Sequence, residues 1–460
     1  DFVATALEQG ARAALVAHAY LLPEGIKADH NHRLIKVRDV QQALTSLSGH
    51  WRRWWAGPLA AVLGSNGKTT VKEMTSLALL EAFGQGHVHA TRGNLNNHIG
   101  LPMTLLGLRP RHRVAVVEIG MNHPNEIQEL ARAAAPTAVV ITNAQREHQE
   151  FMQTVEACAR ENGAALDFIE PKGFAALPCD LDHEPIWASR LQSRTDIQLI
   201  RFGLQGQPAS TTAWTQRPLG RPNLELRASA GPGPSLAVSL VIERHEEATS
   251  FSAVETETLG PVRLPAIGEH YASNFAAAAG LALAMGAAPK SLQRGLARFA
   301  PVNGRGKVHQ ILPNAWLVDD SYNANPDSVL AAVKALAGLE GARLMVLGDM
   351  GEVGDQGPAF HQEVLQKASQ AGIEEIWLLG EAMTSAGRRL GIGRSFADLS
   401  ALSAALQDFF EKVPAGQPSL NLQAQGPALT AWVKGSRFMR LERLVNGLLS
   451  HYAKGLACSC

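Results

Sequence analysis

The residues best placed to do chemistry are Lys68 and Thr69, which follow a glycine turn in the run LGSNGKTTVKEM, Leu63 to Met74. The apolar stretch LAAVL leads into the turn, and a helix pattern leaves it from Thr69. Strand, glycine turn and helix in that order aim backbone N–H groups and the positive end of a helix at one point, which binds phosphate oxygens. A lysine there can bridge terminal phosphates, and a threonine hydroxyl can ligate magnesium. Gly64, Ser65, Asn66, Gly67, Lys68, Thr69 and Thr70 are therefore the candidate nucleotide contacts. The loop is the shorter Gly-x-x-Gly-Lys-Thr, because Val62 stands where the usual spacing has its first glycine; by pattern alone a chance glycine turn stays open.

Three further groups carry possible chemistry. Glu118 ends the apolar strand VAVVEIG, and His148, in ITNAQREHQEFM, falls at the C-terminal end of the next strand, where open α/β sheets bind ligands. Taken singly, the first has a solvated strand-end carboxylate as its alternative and the second a structural histidine. The block TRGNLNNHIG gathers Thr91, Asn94, Asn96 and Asn97, hydroxyl and amide groups suited to an anionic, sugar-rich ligand, or else an asparagine-rich turn. HWRRWW, His50 to Trp55, mixes bases and aromatics as single-stranded nucleic-acid sites do. A helix end packing its tryptophans before Gly57-Pro58 is the preferred reading.

These residues need a scaffold, and 460 residues with 46% apolar content can build two to four separate cores. From Leu59 short apolar strands alternate with helices, a pattern that predicts a mostly parallel sheet covered on both faces. Residues 204–264 are instead rich in Pro, Gly, Ser and Thr around β-branched runs such as LAVSLVIE, and predict antiparallel strands or an insertion at the sheet edge. A small-residue helix, Asn274 to Met285, precedes a glycine hinge at Pro301-Val-Asn-Gly-Arg-Gly. WLVDD, RLMVLGD, EIWLLG and AWVKGS then predict a second α/β domain. Upstream, residues 1–56 predict a helix at Asp1 to Gln9, a strand at Ala13 to Val16 and a helix at Val40 to Ser48.

Composition removes several function classes. Lysine plus arginine (42) equals aspartate plus glutamate (42), so there is no bulk positive field for nucleic acid or an anionic membrane, and any anion must be bound locally. Four cysteines, Cys158, Cys179, Cys458 and Cys460, are too scattered for a disulfide framework and fit a cytoplasmic protein. The terminal Cys-Ser-Cys is read as a frayed tail and not as a metal site. No apolar run reaches the roughly 20 residues of a membrane span. The chain opens at Asp1 inside a helical pattern, from which a preceding segment is expected.

The blocks GSNGKTTVKEM, TRGNLNNHIGLPMTLL, VEIGMNHPNEI, DDSYNANPDS, VLGDMGEVGD and VKGSR, in that order, resemble the Mur ligase family along nearly the whole chain. The resemblance implies a three-domain α/β architecture. Its parts would be a shortened N-terminal α/β domain (1–56), a central phosphate-loop ATPase-like domain (57–302) and a C-terminal Rossmann-like domain (303–460). In the family, the segment before these residues binds the uridine end of the substrate. VKEM, GNLNN and DSYNANP point to the branch that joins D-alanyl-D-alanine to UDP-N-acetylmuramoyl-tripeptide through an acyl phosphate, with ATP and Mg2+, as a cytoplasmic monomer. Two alternatives remain in view: a sister ligase of the diaminopimelate-, lysine- or polyglutamate-adding kind, or a catalytically silent nucleotide-binding protein.

The resemblance also implies roles. Glu118 and His148 would join Thr69 as magnesium ligands, and Lys68 and Arg305 would meet the transferring phosphate. Asn274 would contact adenine, Asp320 the ribose, and Tyr322 and Asn323 would lie near the nucleotide. Thr91, Asn94, Asn96 and Asn97 would hold the muramoyl and diphosphate groups, while Asp349, Lys434 and Ser436 would face the incoming dipeptide. The family's Ala-His-Leu-Glu motif is altered, with Glu147 and Gln149 flanking His148. The lysine that the family carbamylates some fourteen residues later is replaced by Asn162, with Glu161 beside it; either residue is a candidate substitute, or else a second metal would be held more weakly.

Overall fold

The computed structural model describes residues 2–21, 32–179, 182–206, 224–230, 236–245, 254–411 and 428–457; Asp1, Cys458 and Cys460 lie outside them. Its strands are β1 Ala14–Ala17, β2 Leu34–Val37, β3 Leu59–Leu63, β4 Val88–Ala90, β5 Val114–Glu118, β6 Ala138–Ile141, β7 Phe174–Pro178, β8 Gln198–Leu204 and β9 Leu224–Ala230. They continue as β10 Leu236–His245, β11 Val254–Leu264, β12 Lys307–Leu312, β13 Ala315–Asp320, β14 Ala342–Gly348, β15 Glu375–Leu379, β16 Arg394–Phe396 and β17 Leu429–Lys434.

Every residue of β3, β5 and β6 is buried, which explains why their sequences are apolar except for Glu118 at the end of β5: parallel strands with helices on both faces have no solvent side. They sit in a nine-stranded sheet ordered β11-β10-β9-β8-β7-β6-β3-β5-β4. Pairing is parallel from β4 through β9, and β9, β10 and β11 add antiparallel strands at the edge, as the change in composition predicts. Side-chain alternation divides β3 between two cores. Ala60 and Val62 join Val71, Met74 and Phe275 under helices Lys68–Phe83 and His270–Ala284. Leu59, Ala61 and Leu63 join Leu101, Leu105, Ile127 and Leu130 on the opposite face.

A second sheet, ordered β12-β13-β17-β14-β15-β16, is parallel except for the β12–β13 hairpin, and has its own cores on its two faces. The C-terminal ends of β13 and β17, Asp320 and Lys434, are paired in register beside the nine-stranded sheet's phosphate loop. The link between sheets is anchored at both sides. Asp319 Oδ2 accepts from Gly304 N at 2.8 Å, and the Tyr271 hydroxyl donates to Arg305 O at 2.5 Å.

Near the N-terminus β1 and β2 form a two-stranded parallel sheet. The following helix, Val40–Trp55, is capped by Asp39 and runs seven residues past Ser48, through the HWRRWW stretch. Trp51 Nε1 donates to Leu108 O and Trp55 Nε1 to His112 O, each at 3.1 Å. Buried Arg52 donates to Ala134 O and Ala135 O at 2.8 Å, covering the negative end of helix Glu126–Ala134; burial pushes its pKa down to about 10. The bases and aromatics thus dock a helix onto the central sheet. Among the described residues, no helix is long and apolar enough to cross a membrane.

Candidate active site

The turn after β3 is fixed by two glycines. Gly64 (φ +118°) and Gly67 (φ +86°) occupy the left-handed region, and a Cβ would stand 2.1 Å from Thr142 Oγ1 at the first and 2.4 Å from Asn274 Oδ1 at the second. The turn lies against the segment that leaves β6. Asn66 N donates to Asn143 Oδ1 at 2.9 Å, and Thr142 Oγ1 donates to Asn66 O at 2.7 Å. Asn66 and Asn325 exchange side-chain amide hydrogen bonds at 3.0 and 3.3 Å, so the second sheet's first helix holds the phosphate loop too.

The loop opens on a cavity of about 480 Å³ between the two sheets. Ser65, Asn66, Gly67, Lys68 and Thr70 line it together with Asn94, Asn96, Asn97, Glu118, His148, Asn274, Arg305, Asp320, Tyr322, Asn323 and Lys434. Candidates spread over some 370 positions therefore share one wall. Gly64 and Thr69 lie behind that wall, and so do Thr91, Asp349 and Ser436, whose polar atoms serve the scaffold. Thr91 Oγ1 accepts from Glu118 N at 3.0 Å and fixes the end of β5. Asp349 accepts from Ala382 N and Met383 N at the start of helix Glu381–Leu390. Ser436 Oγ donates to Ala324 O and accepts from Gly351 N. Thr91, Asp349 and Ser436 thus hold neighbouring elements in place around the cavity.

Lys68 is the electrostatic centre. Its Nζ donates to Gly64 O at 2.6 Å, Ser65 O at 3.0 Å and Glu147 Oε1 at 2.6 Å. Burial opposes the Glu147 charge, but Lys68 and His148 outweigh it and hold the carboxyl below the usual range. His148 Nδ1 lies 2.6 Å from Glu352 Oε2 and its Nε2 lies 3.6 Å from Glu147 Oε1. Here too burial disfavours charge, and the two carboxylates overcome it, raising the imidazole to about 9. In this structure both ring nitrogens of His148, the residue expected as a magnesium ligand, face carboxylates, Glu352 on Nδ1 and Glu147 on Nε2. His148 and Glu352 both have left-handed backbones, φ +49° and +57°, which non-glycine residues adopt only where surroundings impose it.

Three buried oxygens beside the loop could serve a divalent cation. Thr69 Oγ1, Glu118 Oε2 and Glu147 Oε2 accept no hydrogen bond from the described residues, while Glu118 Oε1 accepts from Asn96 Nδ2 at 2.7 Å. Two carboxylate oxygens and a hydroxyl beside a phosphate loop fit magnesium, which takes one or two carboxylates and completes its shell with water and phosphate oxygens. No three His, Cys, Asp or Glu side chains converge as a full protein cage among the described residues, as that coordination habit requires none.

The substitutes for the missing lysine separate clearly. Asn162 Oδ1 accepts from Gly64 N at 2.9 Å, so it braces the phosphate loop. Glu161 accepts from Asn125 N and Ile127 N, both at 2.9 Å, and caps helix Glu126–Ala134 away from the cavity. Neither brings a second anion to the site; Glu147, one residue before His148, does. The only sequence signal for it is a charged residue where the related motif has alanine. Asp320 and Lys434, expected to meet different ligands, form one ion pair at 2.8 Å. Burial raises the Asp320 carboxyl against the pull of Lys434. Tyr322 receives Arg305 and Arg437 on its ring, 4.2 and 5.4 Å from the centroid.

Comparison with known proteins places this geometry. Residues 62–282 match the Mur ligase middle domain and residues 304–412 the Mur ligase glutamate ligase domain. The UDP-N-acetylmuramoyl-tripeptide--D-alanyl-D-alanine ligase of Escherichia coli K12 is 32% identical over 412 residues, covering 90% of this chain and 81% of that protein. The Haemophilus influenzae ligase of the same name is 30% identical with 90% and 81% coverage. A crystal structure of MurF from Acinetobacter baumannii superposes with a TM-score of 0.76 at 27% identity, covering 98% of this chain and 87% of that one. The Thermotoga maritima MurF ligase in complex with ADP shares the fold, with a TM-score of 0.73 at 21% identity, and 99% and 92% coverage.

Proposed function

Because the chain belongs to the Mur ligase family, we propose that it joins D-alanyl-D-alanine to UDP-N-acetylmuramoyl-tripeptide, consuming ATP and passing through an acyl phosphate. The observation that carries this reading is the single cavity in which Lys68, Glu118, the Asn94–Asn97 cluster and Arg305 meet. Amide formation from a carboxylate needs a good leaving group, and phosphoryl transfer supplies one. The protein's share is positioning and charge. Lys68 and Arg305 would face the phosphate as its charge spreads over the equatorial oxygens, and Asn94, Asn96 and Asn97 would hold the muramoyl end. Asn274, against Gly67, would orient the nucleotide, with Asp320, Tyr322 and Asn323 on its other side. Thr69 and Glu118 are the groups that would hold magnesium, which supplies neutralisation of the phosphates.

Once the carboxylate is activated, water must be kept away from it, and the second sheet's contacts over the loop serve that end. Asn325 on Asn66 and Glu352 on His148 close one side, and Lys434 lies where the incoming amine would arrive. We divide the chain accordingly into 1–56, 57–302 and 303–460. The decisive experiment measures phosphate release with UDP-N-acetylmuramoyl-tripeptide and ATP. Release should depend on D-alanyl-D-alanine and should not be supported by diaminopimelate, lysine or glutamate on their own substrates. Release independent of the dipeptide, or none at all, would sink the proposal.

A further inference from the structure

Lys68 has three N–H donors, and the structure uses all three, on Gly64 O, Ser65 O and Glu147 Oε1. A phosphate oxygen reaching this lysine must take the place of one of those acceptors. The two carbonyls belong to the loop that carries the lysine, whereas Glu147 comes from the segment beyond β6 and competes as an anion for the same ammonium. Losing Lys68 would leave a carboxylate that is only 9% exposed, with the His148 ring 3.6 Å from Oε1 and with Oε2 accepting no hydrogen bond, which favours a second cation there. Glu118, 1% exposed, presents a second unpartnered oxygen to the same cavity.

We propose that Glu147 is an exchange ligand: it holds Lys68 until nucleotide phosphates claim that lysine, and then takes a divalent cation beside Glu118. The inference rests on the nucleotide reading of the site given above. It makes cation affinity conditional on nucleotide, because one carboxylate serves two cations in turn. It also sets a resident anion against a loop whose braces Asn143, Asn162 and Asn325 are neutral.

The test is the full chain with ADP and Mn2+, read by calorimetry and by the electron paramagnetic resonance of free Mn2+. With EDTA present, Glu147→Gln should bind ADP about tenfold more tightly than the parent, since the amide competes poorly for Lys68. With ADP saturating, the same variant should bind Mn2+ about tenfold more weakly. Opposite changes are the signature; if both affinities fall, Glu147 merely positions Lys68, and if neither moves it does nothing here, and either result overturns the exchange. Lys68→Met gives an independent check without nucleotide. Releasing Glu147 from its ammonium should raise Mn2+ affinity, and an unchanged affinity would overturn the proposal even if Glu147→Gln fails to fold. Parent protein that binds no ADP under any condition would instead refute the nucleotide site itself.

Discussion

Arg146 Nη2 lies 2.7 Å from Asp327 Oδ1, and this one guanidinium joins the segment beyond β6 to the second sheet's helices. The backbone N of Arg146 donates to Asp327 Oδ2 at 2.7 Å, and its Nη1 donates to Glu363 Oε2 at 2.6 Å. Asp327 stands in the first turn of helix Pro326–Ala337, and Glu363 lies on helix Gly357–Gln370. The next two residues along the chain are Glu147 and His148, so the clamp that seats the second sheet also sets the charges around Lys68.

Arg146→Ala should therefore loosen the two sheets while leaving each core intact. Losing charge-assisted hydrogen bonds to two half-buried carboxylates should cost about 2 kcal/mol, read as a lower denaturation midpoint. Arg146→Lys should recover less than half, because an ammonium cannot span both carboxylates. Full recovery by lysine would mean that charge alone matters and the planar fork does not.

Lys68→Ala should leave the far-ultraviolet circular dichroism unchanged and lower dipeptide-dependent phosphate release by about 10²–10³-fold or more, the scale of removing one preorganised charge-stabilising donor. Its helix, Lys68–Phe83, is anchored by buried Val71, Met74 and Leu79, independently of the lysine side chain. Activity within tenfold of the parent would remove Lys68 from the reaction.

The sequence made the local units legible, because each rests on signals a few residues long. The apolar LAAVL and VAVV runs read as strands buried on both faces, and Gly64 and Gly67 marked a turn that the structure places in contact with Thr142 and Asn274. What the chain could not announce is where partners come from far away. Asn325 caps helix Pro326–Ala337, with Ser328 completing the capping box, and its amide also reaches Asn66, 259 positions earlier. Asp349, expected to face the dipeptide, also accepts from Ala382 N and Met383 N, 33 and 34 positions away. Glu147 was visible only as a departure from a motif, since its meaning depends on Lys68, 79 positions earlier.

Acid should weaken the edge of the nine-stranded sheet. Burial lowers the pKa of His89, on β4, below its ordinary 6.5, and the ring stacks 4.9 Å from His112, lowered for the same reason. Below pH 6.5 the unfolded chain binds protons at these sites that the folded chain refuses, so stability falls as pH falls. One such site can contribute at most about 1.4 kcal/mol per pH unit, and partial exposure keeps His89 below that. His89→Gln should flatten the stability curve below about pH 6.5 relative to the parent. Parallel curves would show that other groups govern the acid limb.

The contact between Gly67 and Asn274 can be isolated by a double-mutant cycle, because two separable penalties meet there. Gly67→Ala forces an alanine into φ +86°, which costs about 1 kcal/mol whatever surrounds it. The new methyl also falls 2.4 Å from Asn274 Oδ1, and the helix bearing Asn274 cannot retreat, since Phe275, Ala276 and Ala278 are packed in the core beneath it. Gly67→Ala should therefore cost about 2–3 kcal/mol in the parent but only about 1 kcal/mol in an Asn274→Ala background, a coupling energy of about 1–2 kcal/mol from urea denaturation. ADP binding separates the functional part. Asn274→Ala should weaken it by loss of the amide alone, and Gly67→Ala should weaken it further through the displaced loop amides. If the two stability costs simply add, the loop does not rest on Asn274, and the nucleotide's two ends are positioned independently of each other.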